Sequence, residues 1–180
     1  MSERYSRGPK PSPGAIVTTY AFKYSRSFFD FAAKKLPELA QYPPDQERGP
    51  LLQAAITVAA LIQAERGSAG AGRNELHQDV VKTLPLAAQS RQVALIQDLS
   101  AELLQANRED MPGRSIPSFA GVAGQADSHL VGQIGEWLVR GFSKKPELGP
   151  ADAKVGAALG RNAWTSAAMI ARMLQPKPKQ

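Results

Sequence analysis

The 180-residue chain contains no cysteine and only two histidines, His77 and His129. Disulfide bonds, thiolate metal sites and a cysteine nucleophile are therefore excluded. Neither histidine falls in a metal-ligand spacing such as His-Glu-x-x-His. The run Asp127-Ser128-His129 contains the residue types of a catalytic triad, but sequence neighbours cannot adopt the triad geometry. We therefore expect a non-enzymatic protein with no metal and no cofactor.

Long apolar runs are also missing. A membrane-spanning helix needs about 20 apolar residues, whereas the apolar run at residues 58–62 has only five. No apolar segment typical of a secretory signal follows Met1, so we expect no signal peptide and a cytoplasmic location. The hydrophobic fraction of 43% is nevertheless large enough for a real core, which favours a folded domain over a disordered chain.

Apolar residues recur mostly at three- and four-residue steps, which predicts an all-α domain of five to seven helices and no sheet. The first helix begins near Ile16, continues through Phe31 and is ended or bent by Pro37; a short β-branched strand at residues 16–20 is the alternative. Five further helices are expected. They cover residues 51–66, Asn74 to Thr83, a segment that contains Val93 and ends near Asn107, Asp127 or Ser128 to Lys144, and Pro150 to Leu174.

Two features predict how these helices pack. Residues 51–66 are apolar nearly all round, which is typical of a helix in the centre of the core; we expect almost complete burial of Leu52, Ile56, Ala59 and Ile62. Small residues form a stripe on the last helix, which permits a close helix crossing inside the domain or, less favourably, a contact with another subunit. The stripe comprises Gly156, Gly160, Ala163, Ala167 and Ala171, and close packing would likewise explain Gly132 and Gly135 in the preceding helix.

Glycine and proline divide the chain into one helical domain with extended ends. Residues 1–14 form an expected basic, proline-rich arm, residues 15–175 the helical domain, and residues 176–180 a basic tail. A glycine-rich segment at residues 67–72 superficially resembles a phosphate-binding loop. Arg73 stands in place of the lysine and Asn74 in place of the Mg²⁺-binding hydroxyl, so a flexible linker is the better interpretation.

The charge of +6 is uneven along the chain. Residues 1–26 carry five basic side chains against Glu3, and residues 111–180 sum to +5, whereas residues 76–110 sum to −2. Tyr5, Tyr20 and Tyr24 lie among the N-terminal cations, an arrangement that suits stacking on single-stranded nucleic acid. Tyr20 and Tyr24 also share a helix face with Phe28, so a core position is the alternative. The candidate nucleic-acid residues here are Arg4, Arg7, Lys10, Lys23 and Arg26.

A second basic cluster lies at the end of the fifth predicted helix and comprises Arg140, Lys144 and Lys145. These side chains are further candidates for phosphate contacts. Cations at this position also offset the negative end of a helix dipole, which is the simpler explanation. Glu136 and Arg140 at i, i+4 are interpreted as a surface ion pair rather than as part of an enzyme site.

Parts of the sequence resemble the small all-helical subunit of Cmr-type (type III) CRISPR effector complexes. The matching segments are Ala33-Lys34-Lys35-Leu36-Pro37, residues 49–54, His129-Leu130-Val131, residues 136–140 and residues 167–174. The resemblance implies a non-catalytic subunit that stacks with copies of itself and lines the path of RNA with basic side chains.

Two functions remain open from the sequence. The first is a non-catalytic helical subunit of a multi-protein nucleoprotein assembly that contacts RNA or single-stranded nucleic acid. The alternative is a protein–protein adaptor or structural component of a complex without nucleic acid. A continuous stripe of basic side chains would favour the first, and scattered basic side chains would favour the second.

Overall fold

A computed structural model describes residues 8–67 and 72–177, and within these ranges the chain forms six α-helices and no strand, which confirms the all-α prediction. The helices are α1 (Pro13–Asp30), α2 (Arg48–Gly67), α3 (Arg73–Thr83), α4 (Leu86–Leu104), α5 (Asp127–Ser143) and α6 (Pro150–Leu174). Short 3-10 helices lie at Ala32–Lys35, Pro37–Gln41 and Arg108–Asp110. In the described part of the chain, no helix has the length and apolar character that membrane crossing requires.

Helix α2 is the central element, as predicted. Its residues Leu52, Ile56, Ala59 and Ile62 are all fully buried. Helices α1, α4, α5 and α6 all pack against it, so it has neighbours on every side. A helix without a polar face requires this arrangement, because any uncovered side would expose apolar surface to water.

The small-residue stripe on α6 makes an internal crossing with α5. Gly135 of α5 faces Gly156 and Gly160 of α6, and a Cβ built on Gly156 would lie 3.1 Å from the carbonyl oxygen of Gly135. Ala163 and Ala167 continue the buried face of α6. The prediction for Gly132 is wrong, because that residue faces open space.

Both ends of the first predicted helix differ from the expectation. α1 begins at Pro13, so the predicted arm over residues 1–14 is at least two residues too long. Ser12 caps the helix by accepting a hydrogen bond from the Ala15 N–H, and Pro13 takes the first helical position, where it needs no partner for a backbone N–H. Residues 1–7 of the arm lie outside the described residues, as do the linker residues 68–71 and the tail residues 178–180.

The C-terminal end of α1 is at Asp30, well before Pro37. Phe31 leaves the helical conformation, and two successive 3-10 helices then lead back to α2. Leu36, between these turns, lies outside the helical region, which the following Pro37 disfavours. Nothing in the sequence marks Phe31 as a helix end, which explains why periodicity alone placed this boundary too late.

The α5–α6 crossing predicts opposite effects for two glycines of the same helix. Gly135→Ala should lower the free energy of unfolding by at least about 2 kcal/mol, because the new methyl group would overlap the backbone of Gly156. Gly132→Ala meets no atom and should raise it by about 0.5–1 kcal/mol through helix propensity. Urea unfolding of both variants would measure the difference, and equal effects would refute a close crossing at Gly135.

Candidate functional site

The second predicted basic cluster is largely neutralised within the fold. Arg140 pairs with Glu102 of α4 rather than with Glu136, and the Lys144 ammonium lies 2.5 Å from the Asp45 carboxylate. Lys145 is exposed. Ion pairs between different elements therefore take up two of the three cations, which lowers the positive potential available to a phosphate backbone.

The N-terminal candidates are partly retained. Arg4 and Arg7 lie outside the described residues, and Lys10 is exposed ahead of α1. The Lys23 ammonium lies 5.2 Å from the centre of the Tyr20 ring, and Arg26 lies 3.9 Å from Asp30 one turn later, an exposed and therefore weak pair. Tyr20 and Tyr24 pack against the core, as in the alternative interpretation. The structure thus brings Lys23 and Arg26 together on α1. Neither of them contacts Arg140 or Lys144, the cations of the second predicted cluster.

An apolar groove lies beside these two cations, between α1 and α4. We call it the α1–α4 groove. It has two lobes of about 510 and 520 Å³, which share Phe22, Arg26, Asp30, Gln53 and Pro85. Gln53, from the N-terminal half of α2, lies between the two flanking helices, both of which pack on α2. The groove ends at Thr18 and Thr83 on one side and at Pro50, Ala88, Arg91 and Gln92 on the other.

Large apolar side chains are exposed around this groove. The exposed fractions are 52% for Phe22, 69% for Phe31 and 89% for Leu86. Phe22 lines both lobes, whereas Phe31 follows Asp30 and Leu86 follows Pro85, so each is next to a lining residue. Single exposed apolar residues are ordinary, but several exposed apolar side chains at or next to a concave apolar surface are typical of an interaction site.

A buried polar cluster around Glu65 is the other notable arrangement. Glu65, near the end of α2, has a side chain only 4% exposed. Both its carboxylate oxygens accept the backbone N–H of Phe119 at 3.1 Å. His77 Nε2 of α3 lies 3.2 Å from Oε1, and Arg73 Nε lies 3.9 Å from the same oxygen. A buried carboxylate requires such partners.

The other ring nitrogen of His77, Nδ1, lies 3.4 Å from the carbonyl oxygen of Ile116. Burial lowers the pKa of His77 below its usual value, although the Ile116 carbonyl and the Glu65 carboxylate both favour the charged ring. The neutral imidazole is therefore the form that the fold holds at neutral pH. Its ring also packs against Phe119, with 5.7 Å between ring centres.

This cluster has the residue types of general acid–base chemistry, but its contacts are structural. Glu65 and His77 border a cavity of about 720 Å³ between the ends of α2 and α6 and the start of α3. Their hydrogen bonds fasten the segment Ile116–Phe119, whose Phe119 side chain is fully buried, to α2 and α3. No hydroxyl group contacts His77 in the part of the chain that is described.

A second buried polar pair joins α6 to the segment before α2. The Tyr42 hydroxyl donates to Asp152 Oδ1 at 2.5 Å, and the Gly149 N–H donates to Oδ2 at 2.7 Å. Burial, followed by the Asp152 carboxylate, raises the pKa of Tyr42, while the hydrogen bonds from Tyr42 and Gly149 lower the pKa of Asp152. Asp152 also lies in the first turn of α6, where a negative charge is favourable. This pair too has a structural role.

Acidic and imidazole side chains do not converge elsewhere into a set that suits a metal ion. Over residues 8–67 and 72–177, no group of three or more such side chains lies close enough to hold one. The α1–α4 groove combines apolar lining with exposed aromatic and basic side chains, and sequence analysis missed it. The sequence indicates the groove only through Phe22 and Leu86, two apolar residues that lie off the buried faces of their helices.

Comparison with family models, with curated proteins and with solved structures gives no match to this chain.

The neutral state of His77 predicts how stability depends on pH. The free energy of unfolding should fall as the pH drops below about 6.5, because the unfolded chain binds the proton more tightly than the folded one. The stability that neutral His77 contributes is fully present above its unfolded-state pKa. Below that pKa, a single titrating group can lower the free energy of unfolding by at most about 1.4 kcal/mol per pH unit. Urea unfolding between pH 7.5 and 5.5 would measure it, with His77→Asn as the variant that removes the titration. An identical pH dependence in that variant would contradict the prediction.

Proposed function

We propose that this chain is a non-catalytic helical subunit that binds another protein through the α1–α4 groove. The observation that carries the proposal is the exposure of Phe22 at the centre of a concave, apolar surface. Aromatic anchors on apolar grooves supply most of the binding free energy in many protein interfaces. Exposed Phe31 and Leu86 directly follow Asp30 and Pro85, which line the groove.

The distribution of charge also favours a protein partner over nucleic acid. Among the cations of α4 to α6, Arg91, Arg140, Lys144 and Lys154 each contact a carboxylate of another element. These four basic side chains are thus neutralised within the fold, which leaves them less available to a phosphate backbone. In a subunit of this kind, Glu65 and His77 hold the fold together. We also propose that the subunit is cytoplasmic.

RNA or single-stranded nucleic acid is the second candidate, and one observation favours it. On α1 and the turn after it, exposed Phe22 and Phe31 alternate with the exposed cations Lys23, Arg26 and Lys34. Aromatic rings can stack on bases while cations contact phosphates. In this candidate the chain is a subunit of a nucleoprotein assembly, and the resemblance to the small subunit of type III CRISPR complexes stays a prediction.

Site-specific crosslinking in the source cells tests the protein-docking proposal. With a photoreactive phenylalanine analogue at position 22, we expect one discrete protein adduct, and Leu86→Asp in the same chain should abolish it. The same analogue at Thr165, an exposed residue of α6, is the control and should give no such adduct. Identical adduct patterns at positions 22 and 165, or none at either, would overturn the proposal.

Salt dependence tests the nucleic-acid candidate. If Lys23 and Arg26 contact phosphates, the log of the affinity for a labelled single-stranded RNA should fall with log salt at a slope of about −0.7 per contact. Replacement of both by Ala should then make the slope about 1.4 units shallower. Fluorescence anisotropy of the purified chain measures the slope, with Arg161→Ala/Arg172→Ala on α6 as the matched control. Absence of binding at low salt would eliminate this candidate for the isolated chain.

A further inference from the structure

We propose that the occupant of the α1–α4 groove is an acidic, amphipathic α-helix of a partner protein, about three turns long. This inference rests on the protein-docking function proposed above and specifies its partner. It follows from the shape of the groove, from the backbone groups that line it and from the charges at its rim.

The shape of the groove sets the length of the occupant. On α1 the lining residues run from Thr18 to Asp30, a rise of about 18 Å at 1.5 Å per residue. On the opposite side they run from Thr83 to Gln92, at the end of α3 and the start of α4. A helix of about three turns fits this length, with apolar side chains at i, i+3/i+4 and i+7 placed in the two lobes on either side of Phe22.

The backbone of the groove favours a helix over an extended segment. An extended peptide leaves its N–H and C=O groups unpaired unless a sheet edge or free backbone group receives them. The middle turns of α1, which form one wall of the groove, provide no such groups, because their backbone hydrogen bonds are made within the helix. A helical occupant satisfies its own backbone and presents only side chains to the apolar lining.

The charges around the groove favour acidic residues on the occupant. The lining includes three cations, Lys23, Arg26 and Arg91, against the single carboxylate of Asp30. Arg91 is also paired with Glu47, and Arg26 only weakly with Asp30. The N-terminal ends of α2 and α4 border the groove at Pro50 and Pro85, and neither helix has an acidic residue in its first turn. The positive dipole end of α4 therefore reinforces the preference, whereas the Glu47 carboxylate, directly before α2, offsets that of α2, and the C-terminal end of α1 acts in the opposite sense.

A second copy of the chain fits this groove less well. The exposed face of α1 carries Lys23 and Arg26, so a pair of copies that met through α1 would bring like charges together. The chain as a whole has a net charge of +6, which adds to the repulsion at low ionic strength. An acidic helix of a different protein gains attraction from the same cations.

Titration of the labelled full-length chain with designed peptides tests the assignment. The probe is a 14-residue peptide with leucine at helical spacing and glutamate at the other positions. One control peptide has lysine in place of every glutamate, and another has two central prolines that prevent helix formation. We expect the glutamate peptide alone to shift the amide signals of Phe22, Gln53 and Ala88, and Phe22→Ala to weaken binding at least about tenfold.

A charge reversal then tests the specificity. The double variant Lys23→Glu/Arg26→Glu should no longer bind the glutamate peptide and should bind the lysine peptide instead. The control variant Arg161→Glu/Arg172→Glu makes the same change in net charge at exposed positions of α6 and should keep the original preference. Equal binding of both charged peptides would overturn the acidic character of the occupant, and equal binding of the proline peptide would overturn its helical character.

Two further outcomes separate this inference from the docking function. If no peptide binds but the crosslink at position 22 persists, the helical occupant is wrong and the docking function stands. If neither is observed, both are wrong. Sedimentation that shows a dimer lost in Phe22→Ala would assign the groove to a second copy, and RNA-induced shifts of the same amides without peptide binding would assign it to nucleic acid.

Discussion

The burial of α2 over most of its surface is the constraint from which the rest of the structure follows. Residues such as Leu52 and Ile56 leave this helix without a polar face, so α1, α4, α5 and α6 must surround it. The α5–α6 pair can approach closely enough because Gly135, Gly156 and Gly160 bring backbones together. The cover is incomplete over the first half of α2, where Gln53 lies between α1 and α4, and this gap is the α1–α4 groove.

Buried polar side chains connect the irregular segments to this helical core. Glu65 receives the N–H of Phe119 and thereby holds a loop residue whose ring is fully buried. Asp152 receives the Tyr42 hydroxyl, and Arg48 donates to the carbonyl oxygens of Leu39, Tyr42 and Pro43 in the same segment. Each of these groups has a partner supplied by the fold, as buried polar groups require, and these contacts stabilise the irregular segments.

The sequence predicted the features that depend on local periodicity and residue size. The all-α class, the central position of residues 51–66, the last helix from Pro150 to Leu174 and its close crossing all follow from such patterns. The partners of charged residues depend on which helices become neighbours, and no local pattern contains that information. Arg140 therefore pairs with Glu102, 38 positions away, rather than with Glu136 one turn before it. The Glu65–His77 contact and the α1–α4 groove were missed for the same reason.

The distribution of ion pairs explains why an excess of positive charge need not form a nucleic-acid surface. Cations such as Lys144 and Lys154 meet carboxylates of neighbouring elements, because the slightly acidic middle of the chain and the loops before α2 fold against the basic later half. On α1, the Lys23 ammonium lies over the ring of Tyr20, and Arg26 has one distant exposed partner. Lys23 and Arg26, which the fold compensates only weakly, thus lie beside the apolar α1–α4 groove. Apolar contact and charge attraction then act on the same partner, and a surface built in this way discriminates by sign of charge as well as by shape.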